Sequence, residues 1–181
     1  YYLNGYKVEG YHFVNIVIHI FAAISLFYVF FLTLAKIQMK NVRISWLIAF
    51  TASLLWLSHP LATQSVTYIV QRMNSLAALF YIASLLFYIK GRLEWNESRK
   101  ANIKIVLNYF WAIIFGLLAL GAKEISATLP IIIFLYEWFF FQNLSRHWII
   151  RKSPWIIVVL ILVVIAAYFY TDGNIIDRLF K

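Results

Sequence analysis

The chain has 181 residues, of which 64% are hydrophobic, 19% aromatic and 13% charged, with a formal net charge of +9. A soluble domain of this length cannot hide so much apolar side chain, so the class is integral membrane, expected as an all-α polytopic helical bundle forming a single membrane domain over 1–181. Cysteine is absent, which excludes disulfides, thiolate metal sites and cysteine nucleophiles.

Six apolar runs follow one another near 11–34, 44–57, 75–89, 105–120, 125–141 and 154–170. Each approaches the roughly 20 residues that a helical bilayer crossing needs. The second and third are short, at about 15 residues, and would need help from their flanks or from a thinned bilayer.

The first run carries His12, Asn15 and His19. Spaced i, i+3 and i+7, they fall within a roughly 60° arc of a helix. Two histidines and an amide on one face suit a metal or a substrate; the competing reading is hydrogen bonding to a neighbouring helix.

Between the second and third runs lies the segment 59–80, HPLATQSVTYIVQRMNSLAALF. At about 100° per residue, Gln64, Thr67, Tyr68, Gln71, Arg72 and Ser75 gather on one half of the circle. Val66, Ile69, Val70 and Met73 fill the other, which predicts an amphipathic helix near 60–74 lying at the membrane surface or lining a cavity. Pro60 suits a first helical turn, with His59 as its capping or interfacial neighbour. Arg72 stands beside hydrocarbon, where an arginine is costly unless paired or facing water. Its fork of donors matches a phosphate; the alternative is a side chain that snorkels to lipid headgroups. Further on, Lys123 and Glu124 interrupt one apolar hairpin. They either pair and anchor the turn, or serve a site in which Lys123 balances an anion and Glu124 orients Arg72 or a sugar hydroxyl.

Charge sets the expected orientation. The loops 36–43, 90–104 and 142–153 hold eleven of the sixteen Lys and Arg residues, and the positive-inside rule makes that side cytoplasmic. The N-terminus, 59–74, Lys123 and Glu124 then share the outer side. This placement accounts for the net charge without a nucleic-acid partner, and none is expected. It also disqualifies the acceptor patterns Asn96-Glu97-Ser98 and Asn143-Leu144-Ser145, which fall on the cytoplasmic side. There is no outer carboxylate pair of the kind glycoside hydrolysis uses, no G-x-S-x-G, no H-E-x-x-H and no P-loop.

In order and spacing, GYHFVNIVIHIF, HPLATQSVTYIVQRMNSLAALFYIASLLFYIKGR and LGAKEISATLPIIIFLYEWFF resemble a family of polytopic membrane glycosyltransferases. These are GT-C-type proteins with C-terminal tetratricopeptide repeats, including the transmembrane O-mannosyltransferases and bacterial relatives. The resemblance covers about three-quarters of the chain. It implies transfer of a sugar from a polyprenyl-phosphate carrier to a protein Ser or Thr hydroxyl on the outer face. Arg72 and Lys123 match the family's basic positions and are the candidates for the carrier phosphate. His59, Gln71, Tyr68, Glu124, His12, Asn15 and His19 are the candidates for supporting the pocket. Such enzymes place an acidic base in the first outer loop, ahead of the helix that begins here at Tyr11. No catalytic residue is therefore expected within this chain, which reads as an internal fragment with the repeats beyond Lys181. Gln64 and Asn74 are amides where many relatives carry acids, so an acid–base or metal role does not extend to them. The cofactor stays unassigned: a divalent metal is compatible with the chemistry, but no donor set in the fragment supports one. The implied setting is a bacterial inner membrane, with the endoplasmic reticulum second. A non-catalytic lipid-binding or scaffold subunit is the alternative function.

Overall fold

The computed structural model describes residues 8–37, 41–60, 72–98 and 100–141, and every regular element among them is helical. The chain divides into two compact units, Tyr1–Leu129 and Pro130–Lys181. The first contains α1 (Val8–Lys36), α2 (Val42–Leu57), α3 (Arg72–Ser98), α4 (Ile103–Ala122) and a 3-10 helix (Glu124–Thr128); α5 (Leu129–Phe140) carries the chain into the second. The all-α membrane bundle expected from composition is what these residues form.

Among the described residues, three helices are long and apolar enough to cross a bilayer: Gly10–Lys36 within α1, all of α3 and all of α4. The 16 residues of α2 span about 24 Å, short of the roughly 30 Å hydrocarbon core, in line with the brevity of the second run. Six crossings are not reached among the described residues. The sixth run lies outside them, as does most of the expected amphipathic helix, at 61–71.

Two runs differ in extent from the helices found there. The short third run is completed by its flanks: α3 has 27 residues and rises about 40 Å. Its apolar stretch ends near Ile89, but the polar tail contains no proline and supports itself, with Arg92 Nη1 donating to Asn96 Oδ1 at 2.6 Å across one turn. The fifth run is not one helix. Lys123 is extended at φ −159°, ψ 137°, which ends α4 and opens the 3-10 helix. Pro130 has no N–H to offer the carbonyl of Ser126, four residues back, so that carbonyl is met instead by the N–H of Leu129 in 3-10 fashion.

Small residues set the packing. On α3, Ala77, Ser84 and Gly91 recur every seven residues and are buried; on α4, Ile105, Ala112 and Ala119 do the same. A seven-residue repeat keeps one seam facing the partner helix, and small side chains let the backbones approach closely where lipid supplies no hydrophobic drive. Ser84 Oγ donates to the carbonyl of Ala112 at 2.6 Å inside this seam. A Cβ on Gly91 would lie 3.3 Å from Asn108 Cβ, and one on Gly116 would lie 3.2 Å from Leu129 Cδ2. On α2 the buried Ser45, Ala49 and Ser53 repeat every four residues. Phe13, Leu55, Ile113 and Leu117 point outward, a surface suited to lipid chains.

The contacts also fix relative direction. Asn15 meets Arg72 and Tyr28 lies under Lys90, so α1 and α3 run the same way. His19 meets Leu57, and Phe27 meets Trp46, so α2 runs against α1. Tyr88 meets Tyr109, and Asn74 meets Lys123, so α4 runs against α3. One end of this bundle therefore collects the starts of α1 and α3 with the ends of α2 and α4. Lys36, Arg43, Arg92, Lys100 and Lys104 belong to the other end.

Candidate functional site

The site lies at the end where α1 and α3 begin. Tyr11 and Asn15 sit four residues apart on α1, hence on one face. That face meets the first residue of α3. Arg72 Nε donates to Asn15 Oδ1 at 3.2 Å, and the guanidinium carbon lies 5.1 Å from the centroid of the Tyr11 ring. Asn15 is fully buried, at 0% exposure. A cation stacked on an aromatic face gains about 0.5–2 kcal/mol, the more so when water is excluded.

The remaining donors of Arg72 are the informative ones. Nη2 is buried and has no hydrogen-bond partner. A buried donor left unsatisfied costs on the order of 1–3 kcal/mol, and more when charged. Such a group calls for an acceptor, and the end-on fork of a guanidinium suits two oxygens of one anion.

Lys123 lies beside the same end of α3. Its Nζ donates to Asn74 Oδ1 at 2.8 Å. Arg72 and Asn74 are separated by about 3 Å along α3 and by roughly 200° around it. The two cations thus stand at one depth, on different sides of the helix start, each anchored by an asparagine. Among the described residues, neither cation is paired with a carboxylate. Glu124 is exposed in the first turn of the 3-10 helix, with no hydrogen bond to Lys123 or Arg72.

The histidines divide. His19 Nε2 lies 3.2 Å from the carbonyl of Leu57, and its ring packs 4.8 Å from that of Trp56. It therefore meets a carbonyl at the end of α2, where the helix leaves its last carbonyls without intrahelical donors. The arc of His12, Asn15 and His19 thus serves two neighbours: Asn15 turns to α3 and His19 to α2. Both contacts join neighbouring helices. His12 is half-buried beside Tyr11. His59 is exposed past the end of α2, its N–H donating to the carbonyl of Trp56 at 3.4 Å. Among the described residues, no three His, Asp or Glu side chains converge as a metal set would. Tyr68 and Gln71 lie outside the described residues.

Two partners escaped the sequence reading of the site. Tyr11 carried a signal, since it shares a helical face with Asn15. Asn74 as the anchor of Lys123 carried none, because the pair is 49 residues apart and joins two helices.

Proteins similar in sequence to this chain are named protein O-mannosyl-transferases. One from Caenorhabditis elegans is 34% identical over 107 residues, covering 59% of this chain and 14% of its own length. Human protein O-mannosyl-transferase TMTC4 is 29% identical over 135 residues, covering 71% of this chain and 18% of its own. Drosophila melanogaster protein O-mannosyl-transferase Tmtc3 is 27% identical over 172 residues, covering 83% and 18%. The chain thus spans under one-fifth of the length of these curated relatives. They are animal proteins and lend no weight to a bacterial membrane. No family model matches the chain. No solved structure matches it either.

Proposed function

We propose that this chain is part of a membrane glycosyltransferase that moves a sugar from a polyprenyl-phosphate carrier to a protein Ser or Thr hydroxyl, and that Arg72 and Lys123 hold the carrier phosphate. The similarity to proteins named O-mannosyl-transferases supports the transferase class. The observation that carries the site is the buried, unpartnered Nη2 of Arg72.

In the reaction, the bond between the sugar's anomeric carbon and the carrier phosphate breaks, and a bond from that carbon to the acceptor oxygen forms. The phosphate leaves with added negative charge. Cations fixed where that charge grows lower the barrier, most effectively where water is excluded. Arg72 meets this need because Asn15 and Tyr11 hold it before the substrate arrives, so little reorganisation accompanies the step. Lys123 supplies a second charge at the same depth. The proton of the acceptor hydroxyl passes to a general base, a role for which neither cation is suited. With the site end on the outer side and the basic end cytoplasmic, the phosphate would lie near the headgroup layer.

The test is Arg72→Ala in the full-length protein. Transfer is abolished while membrane insertion and expression stay intact. Wild-type transfer by this variant overturns the assignment.

A further inference from the structure

We propose that Asn15 is a positioning residue for Arg72, and that it works because its amide is neutral. The inference rests on the reading of Arg72 as the phosphate-binding group.

A fully buried side chain on α1 accepts a hydrogen bond from a charged group on α3. The bond is made at Nε, the inner edge of the guanidinium, while the Tyr11 ring covers one face. Two constraints of this kind fix both the position and the plane of the group. What they leave free is the outer edge, where Nη2 is buried and unpartnered. The fork is thus aimed by contacts that do not use it.

The chemistry of the acceptor decides how much charge the fork retains. A carboxylate at position 15 would hold Nε at least as firmly. In a water-poor interior, however, it would pair with the guanidinium and leave little net field for a third group. An amide oxygen orients the arginine through a dipole and leaves its charge whole. Lys123 follows the same pattern, held by the amide of Asn74.

The test is equilibrium binding of a polyprenyl monophosphate to the full-length protein in lipid nanodiscs, with thermal unfolding measured on the same samples. Asn15→Ala loses the anchor but keeps the charge, and weakens binding several-fold. Asn15→Asp is nearly isosteric and keeps an acceptor, yet weakens binding further, by at least about tenfold. A purely structural role gives the opposite order, because aspartate fills the buried site and alanine leaves a void. Stability follows that structural order, so the two readouts diverge. If Asn15→Asp does not accumulate as folded protein, Asn15→Ser replaces it: a neutral acceptor must bind the lipid more tightly than Asn15→Ala, and equal binding overturns the proposal. Wild-type affinity in Asn15→Asp, with Arg72→Ala impaired, overturns the role of Asn15 and leaves that of Arg72. Wild-type affinity in Arg72→Ala overturns both.

Discussion

Arg72 does three things with one planar group: Nε holds Asn15, one face covers Tyr11, and Nη2 stays unpartnered. Lysine cannot divide its donors this way, because its ammonium is a point charge without an inner edge. Arg72→Lys in the full-length protein is therefore expected to transfer sugar with a donor KM raised several-fold, between the wild type and the inactive Arg72→Ala. Steady-state kinetics against donor concentration measure this, and a wild-type KM in Arg72→Lys would show that charge alone suffices. Arg72 stood out in the sequence as a candidate, since an arginine at the edge of hydrocarbon is costly unless paired or facing water. Its pairing was not legible there: Asn15 stood out as a polar residue on an apolar helix, but 57 residues separate the pair. Only tertiary packing joins them.

Among the elements, α3 does most to build the site, because its first turn carries both Arg72 and Asn74 while its length packs on α1 and α4. The seam with α4 holds that turn in place. Gly91 sits where a Cβ would press on Asn108 Cβ, an atom fixed to the neighbouring backbone and unable to swing away. Gly91→Leu is expected to destabilise the bundle by about 1–3 kcal/mol through overpacking. Gly121→Ala has open space around it and should be neutral or slightly stabilising. Unfolding of the two variants in detergent measures the contrast; equal stability would remove the seam from the account. Hydropathy located α1, α2 and α4 well, because apolar run and helix coincide there. It understated α3, whose polar tail continues as helix beyond the apolar residues. It overstated the fifth run, since hydropathy is blind to the N–H that Pro130 lacks and to the extended backbone at Lys123.

At the scale of the whole molecule, the bundle separates its charges by end, with Arg72 and Lys123 at one and Lys36, Arg43, Arg92, Lys100 and Lys104 at the other. By the positive-inside rule, the end with the five basic residues is the one expected to face the cytoplasm. Because the chain has no cysteine, single cysteines report the orientation cleanly. His59 and Lys100 are both exposed, near opposite ends. A membrane-impermeant maleimide should label His59→Cys from the outer or lumenal side and reach Lys100→Cys from the cytoplasmic side alone; the reverse pattern inverts the topology. The most direct measurement of the central claim is an experimental density map of the full-length protein with a polyprenyl-phosphate sugar donor added. A phosphate is expected within hydrogen-bond distance of Arg72 Nη2, at the terminal edge that Nη2 shares with Nη1, with Lys123 approaching from the other side of the α3 start. A phosphate bound elsewhere, with Nη2 satisfied by a protein carbonyl, would contradict it.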